Sequence, residues 1–370
     1  GRSALTARPA PGARARGTGR TGRAGGGTAY RTFVRAMPKA EIHLHLEGTV
    51  DPATLALLAE RRGRRLGTRE RLALASLYRH RDFPHFLENF RAVCSRLRGP
   101  EDFALIAGAL SERLRRQNMR YAEVLCSPGI FERAGLSAVE IMDAVSGAAR
   151  RRQEAAGGPT MRFLFDGVRQ WGARAMEDLV LSAGRCRRYD VIGVGVGGDE
   201  RSVPASDLAP AFEEARRLGL RTTAHAGEFD GPRSVWEALD RLGVERIGHG
   251  IRASEDPELV RRLARHATPL ECCPTSNLRT GVVRAWSEHP LPALLRSGVA
   301  VTVNSDDPAL FGTSLCGEWM VLRTRLGLEP EQVLEVGVRT ARATFLPEDD
   351  RSALVAEMIR AGRRLREESA

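Results

Sequence analysis

The sequence predicts an α/β fold, a closed (β/α)8 barrel with extra helices inserted after its first strand. Three observations predict it. Eight short strand-like runs alternate with helical runs along one chain, with no second compositional class. Polar residues gather where those runs end, as active-site residues do at the carboxyl ends of barrel strands. No Gly-x-Gly-x-x-Gly follows the first run, so an open dinucleotide-binding sheet lacks support.

The first strand spans residues 40–46. Side chains on a strand repeat every two residues, so His43 and His45 share a face where the run opens into Glu47-Gly48-Thr49. From Asp51 to about Gln117 the pattern is helical. Phe83, Phe86, Leu87, Phe90 and Val93 recur at spacings that give an amphipathic helix. The region is too long for one crossover helix, and is read as helices set over the mouth of a site. Strands then follow at 121–126, 161–166, 191–196, 221–225, 246–249, 269–273 and 300–304. Helices at 137–155, 173–187, 208–218, 234–242, 257–266 and 291–297 alternate with them, and further helices close the chain.

Composition bounds the function. The net charge is +11, but residues 1–35 hold eight arginines and no acid, leaving +3 for the rest. Residues 1–32 therefore read as a disordered Arg/Gly-rich tail and 33–370 as one domain. Such a tail suits an anionic surface or a transit peptide, but a solvated extension explains it as well. Neither a specific nucleic-acid partner nor a membrane is expected, since no apolar run is long enough to span a bilayer. The six cysteines form no Cys-x-x-Cys pair and read as buried reduced thiols of a cytoplasmic protein.

The chemistry lies at the strand ends. His43 and His45 close the first strand, His225 the fifth and His249 the sixth, while Asp306 and Asp307 follow the eighth. Singly, His225 is a satisfied core histidine and Asp306 a helix cap; their joint placement is informative. Three imidazoles and a carboxylate suit zinc, which keeps an open position for water when catalytic. The sole lysine, Lys39, precedes the first strand, which excludes a carboxylated lysine bridging two metals and favours a mononuclear centre. The Pro-Cys-x-x-Cys of the small zinc deaminases and the His-Glu-x-x-His of zinc proteases are absent.

His43-Leu-His45-Leu-Glu-Gly48, Ser127-Pro128, Gly198-Asp199-Glu200, His225-Ala-Gly-Glu228, Ile247-Gly-His249-Gly250, Cys273-Pro274-Thr-Ser-Asn277 and Ser305-Asp306-Asp307-Pro308 occur in one order over roughly residues 36–346. With these stretches the chain closely resembles the adenosine deaminase family. The resemblance implies that His43, His45, His225 and Asp306 hold one Zn2+ per subunit, which lowers the pKa of bound water to about 7. It implies that Glu228 protonates purine N1 and shuttles protons, that His249 and Asp306 orient the nucleophile, and that Asp307 and Gly198 grip the ring. His45 would also border the substrate. The implied reaction is deamination of a small-molecule 6-aminopurine nucleoside, with adenosine as default. Aminodeoxyfutalosine and adenine are the alternatives, and a catalytically inactive purine-binding protein is the reading from another class.

Glu47 departs from the Asp found in many adenosine deaminases, where that residue reaches the ribose. Members acting on adenine or aminodeoxyfutalosine often read His-x-His-x-Glu-Gly, as here. Asp166-Gly-Val-Arg-Gln-Trp171 is similar to the aminodeoxyfutalosine group. Arg169 is thus expected either to meet a substrate carboxylate or to pair with a protein acid such as Glu200.

Overall fold

The computed structural model describes residues 23–61, 63 and 65–367. Eight strands pair in parallel in sequence order: β1 (Lys39–Glu41), β2 (Met119–Cys126), β3 (Thr160–Val168), β4 (Val191–Gly197), β5 (Arg221–Ala226), β6 (Arg246–His249), β7 (Leu270–Cys272) and β8 (Val301–Val303). A parallel bridge between Leu44 and Asp306 brings the end of β8 back to the segment after β1 and closes the ring. The architecture is the expected α/β barrel, with helices outside and apolar strand residues such as Phe163, Phe165 and Val194 fully buried.

Two expectations change. Residues 1–22 of the expected tail lie outside the described residues, but Arg23–Ala36 is a helix, α1. Tyr30 and Phe33 stack at 5.9 Å and are buried, and the Tyr30 hydroxyl donates to the Trp319 carbonyl at 3.0 Å. The boundary at residue 32 therefore moves back: the glycines before Tyr30 weaken helix propensity, and the docked aromatic face outweighs them. The first strand is also shorter than expected. Just beyond Glu41 one ladder bond gives way to a side-chain one, Ile42 N donating to Asn304 Oδ1 at 3.0 Å, before backbone pairing resumes with His45 N donating to Asp306 O at 2.9 Å and Leu46 N to Leu125 O at 2.8 Å. His43 and His45 stand on this irregular continuation, where His45 bridges Leu125.

The insertion after β1 consists of α2 (Pro52–Glu60), α3 (Thr68–Ser76), α4 (Phe83–Cys94) and α5 (Pro100–Arg116). Asp51 and Asp82 cap α2 and α4, accepting from Thr54 N at 2.7 Å and His85 N at 2.9 Å, and each helix carries proline in its first turn. The capped start of α4 directs its phenylalanines over the carboxyl ends of the strands. Lys39 is buried at the opposite end of β1, its ammonium donating to Val34 O at 2.7 Å and Met37 O at 2.5 Å. All six cysteines are free. Among the described residues no helix is long and apolar enough to cross a membrane.

Candidate active site

A cleft of about 100 Å³ opens at the carboxyl ends of the strands. His45, Asp166, His225, Glu228, His249, Asp306 and Asp307 form its polar floor, and Phe83, Phe86, Leu87, Phe90 and Phe311 its roof. Phe86 stacks on Phe311 at 4.8 Å, and Phe83 meets Phe229 at 4.0 Å. The aromatic stripe of α4 thus covers the site, as its spacing predicted.

The imidazoles converge through backbone geometry. Gly248 faces the barrel interior, and a Cβ there would stand 3.1 Å from the His43 ring, so the glycine makes room for it. Strict alternation would then turn His249 outward. His249 instead adopts φ +58°, which breaks the alternation and aims its ring into the cleft; Asp306 does the same at φ +63°. Ring centroids of His43 lie 5.4 Å from His45, 4.7 Å from His225 and 5.0 Å from His249.

Ligand atoms of His43, His45 and His225 lie within 4.8 Å of one another. Asp306 Oδ1 stands 3.4 Å from His45 Nε2 and 3.7 Å from His43 Nε2. These separations are long for hydrogen bonds. They suit ligands of a tetrahedral ion, which bonds of about 2.0–2.1 Å would hold roughly 3.4 Å apart. His43 Nε2 is buried without a hydrogen-bond partner. In this arrangement burial works to lower the His43 pKa, yet the nearby Asp306 carboxylate, the hydrogen bond to Glu271 and the Glu271 charge push it up to about 10. The carboxylates therefore demand a positive charge where a divalent cation fits. Burial lowers His45 to about 4, His249 to about 3 and His225 well below its usual value, so these rings are neutral and free to coordinate. The donor set fits a zinc-type ion.

Glu228 lies 3.4 Å from His249 Nε2 through Oε2. Burial, then the charges of Asp306 and Glu200, raise its carboxyl well above the usual range, which favours its protonated form. Asp307 is raised well above its usual range for the same first cause. Asp306 is held low, because the close His43 ring and the charges of His249 and His45 outweigh its burial.

Of the residues expected to bind substrate, His45, Gly198 and Asp307 line the cleft and two do not. Glu47 sits in a 3-10 turn, Glu47–Thr49, that folds its carboxylate back to accept from Ser127 N at 3.0 Å; the side chain is buried behind the wall. Arg169 sits in the turn Arg169–Trp171 and donates through Nη2 to the His225 carbonyl at 3.1 Å. It lines a separate cavity with Trp171 and Met176 and is not among the residues lining the cleft; burial lowers its pKa, against the charges of Glu200, Glu237 and Asp166 nearby.

Four residues without an assigned role hold the site together. Glu271 Oε2 accepts from His43 Nδ1 at 2.8 Å. Burial would raise Glu271, but the charge of Arg246 and the bond from His43 keep it low. Glu200 accepts from Gly227 N at 2.7 Å, Glu228 N at 2.8 Å, Phe229 N at 2.9 Å and Ser234 Oγ at 2.7 Å, which fixes the loop bearing Glu228. Asn277 Nδ2 donates to His249 Nδ1 at 3.2 Å, placing the ring proton on Nε2. Asp166 Oδ2 stands 3.9 Å from His45 Nδ1. Glu200, Asn277 and Asp166 lie in motifs the sequence singles out; nothing in the spacing of Glu271 marks it.

The chain is similar to characterised proteins over this whole architecture. It is 37% identical over 334 residues to the aminodeoxyfutalosine deaminase of Streptomyces avermitilis, covering 90% of this chain and 93% of the relative. It is 38% identical over 320 residues to an adenine deaminase of Chelativorans sp., covering 86% and 97%. An amidohydrolase from Burkholderia ambifaria, solved with bound zinc, superposes with a TM-score of 0.84 at 26% identity, covering 94% of this chain and 96% of that one. The profile of the adenosine deaminase family matches residues 38–361. With the barrel, the histidine cluster and this match in agreement, the chain belongs to the adenosine deaminase family and is a hydrolase of C–N bonds, a deaminase.

Proposed function

We propose that this chain converts the 6-amino group of a purine to a 6-oxo group, releasing ammonia, with one zinc ion per subunit held by His43, His45, His225 and Asp306, and that adenine is its preferred substrate. The composition of the cleft carries the substrate reading. Its floor is acidic, its roof is phenylalanine, and its lining contains no arginine or lysine. A neutral planar base matches both surfaces: carboxyls meet its ring nitrogens and aromatic faces cover it. Glu47, standing where many adenosine deaminases carry the Asp that reaches the ribose, accepts from Ser127 N instead. Similarity to the Chelativorans adenine deaminase supports the same reading.

When bound, zinc makes a water-derived nucleophile available at neutral pH. The protein's own groups do the rest. Asp307 and the backbone at Gly198 orient the ring. Glu228, whose protonated form burial favours, donates to ring N1 and draws electron density from C6. It then takes up one proton from the attacking water and passes it to the leaving amine, and the water's second proton, released as the 6-oxo group forms, restores Glu228. His249, its proton on Nε2 and facing Asp306 Oδ2 at 3.8 Å, steadies the developing charge. The roof excludes bulk water, which strengthens each of these interactions.

Aminodeoxyfutalosine is the second reading, favoured by the Streptomyces avermitilis relative of that name. Its carboxylate would find no cation among the cleft's lining residues. Adenosine, the default of the sequence reading, ranks below both. The test is product formation by mass spectrometry from adenine, aminodeoxyfutalosine and adenosine, each offered to zinc-loaded and chelator-stripped protein. Metal-dependent deamination with the largest kcat/KM for adenine is expected. A larger value for aminodeoxyfutalosine would replace the substrate assignment, and activity insensitive to stripping would overturn the zinc site.

A further inference from the structure

Barrel interiors are normally packed with branched apolar side chains. This one carries charge below the histidines. Arg246 on β6 reaches across to Glu123 on β2, Nη2 to Oε2 at 2.6 Å, and to Glu271 on β7, Nε to Oε1 at 2.6 Å. Both contacts are close without being aligned hydrogen bonds. Arg246 Nη1 donates to Ala343 O at 2.8 Å, and the guanidinium lies 3.6 Å over the Phe345 ring. Glu123 Oε1 is occupied by Tyr121 Oη at 3.1 Å and Phe345 N at 2.5 Å. Arg246, Glu123, Glu271 and Tyr121 are essentially inaccessible to solvent, while Phe345 is half-buried.

Burying three ionised groups is costly, and a core that needs only filling is served as well by apolar residues. What the cluster supplies is orientation. Glu271 is gripped at both oxygens: Oε1 faces Arg246, while Oε2 accepts from Thr223 Oγ1 at 3.2 Å and His43 Nδ1 at 2.8 Å. Arg246 is itself pinned by a carbonyl and a ring, so the Glu271 carboxylate has no freedom to swivel. A carboxylate on the far nitrogen of a metal-ligating histidine fixes its tautomer and its aim.

We propose that Arg246, which touches neither the cleft nor any of its ligands, is a positioning residue that acts through Glu271 and His43 to set how tightly the cleft holds its metal. The proposal rests on the zinc site described above. Zinc affinity, read by competition with a chromogenic chelator, and the visible spectrum of cobalt-loaded protein are measured for wild type, Arg246→Lys, Glu271→Gln and the double variant. Each single variant is expected to bind zinc 10-fold or more weakly, within the roughly 10–100-fold range of such supporting contacts. The double variant is expected to be no weaker than Glu271→Gln alone, because the two residues act in series. The cobalt bands should shift alike in both single variants, a signature that a purely structural loss of stability does not produce. Phe345→Leu, which removes only the ring beneath the guanidinium, stands in if Arg246→Lys does not fold, with a several-fold loss expected. Wild-type zinc affinity and spectrum in the arginine or phenylalanine variant, or additive losses in the double variant, overturn the proposal alone. A wild-type protein that binds no stoichiometric zinc overturns the zinc site and this proposal together.

Discussion

Replacing Glu228 by glutamine separates proton transfer from everything else the cleft does. Glutamine keeps the shape and still offers an N–H to a ring nitrogen, so substrate binding should survive and KM should change no more than a few-fold. It cannot give up and regain a proton. Glu228 is 6% exposed and its backbone N–H is held by Glu200, so bulk water does not reach in to replace it. General acid–base contributions run from about 10² to 10⁴, and Glu228 acts twice, at the ring and at the leaving amine. A loss of about three orders of magnitude in kcat is expected, about 4 kcal/mol of barrier. Zinc content should stay at the wild-type level, because the ligand positions belong to other residues. The assay is steady-state kinetics on protein of measured metal content. Turnover within ten-fold of wild type, at full zinc loading, would remove Glu228 from the proton path and leave the raised carboxyl without a function.

Two further outcomes follow from close packing and burial. A Cβ at Gly48 would lie 1.7 Å from Asp307 Oδ1, so Gly48→Ala must displace the Asp307 carboxyl. We expect kcat/KM to fall at least ten-fold, with about 1–3 kcal/mol lost from stability; unchanged kinetics would show that Asp307 does not grip the ring. Lys39→Met should leave one zinc per subunit and activity within about two-fold, since the ammonium bonds only Val34 O and Met37 O far from the cleft. Burial lowers Lys39 from 10.5 to about 8. Between those values the unfolded chain binds the extra proton, so the contribution of Lys39 to wild-type stability should rise with pH across that window by about 3 kcal/mol, against the opposite trend from buried thiols such as Cys94 and Cys273, which burial pushes up. Lys39→Met should lack that contribution, read as the difference between the melting temperatures of the two proteins as pH rises. Loss of metal in this variant would contradict a lysine-free centre.

Much of the architecture was legible because it is periodic. The runs at 246–249 and 257–266 coincide with β6 and a helix, and the aromatic spacing from Phe83 to Phe90 announced a buried face before its position was known. The tail boundary was not legible, because what orders α1 is tertiary: Tyr30 reaches a carbonyl nearly three hundred positions away, at Trp319. Shortening of the first strand was hidden for a similar reason. Asn304 takes over a ladder bond from Ile42, and nothing in either local pattern signals the exchange.

The site divides along the same line. A strand-end rule gives a residue's height in the barrel but not the direction in which it faces. It served His43, His45, His225 and Asp306, whose rings and carboxylate meet. It does not place Glu47 and Arg169 on the cleft lining: each is carried by a 3-10 turn, one held on Ser127 N and the other on the His225 carbonyl with the Glu200 charge nearby. His249 shows the converse: alternation would point it outward, and one left-handed backbone angle brings it in. Arg246 and Glu271 were invisible because their meaning is pairwise. A buried arginine on β6 becomes intelligible only when the barrel closes Glu123 and Glu271 around it, and only then does a line of contacts reach His43 from the barrel's far end. Assignments of substrate contacts from motif alone are therefore weakest where a short turn follows the strand. The layer beneath the ligands, which a family motif leaves out, is where variants that tune metal affinity without touching substrate should be sought.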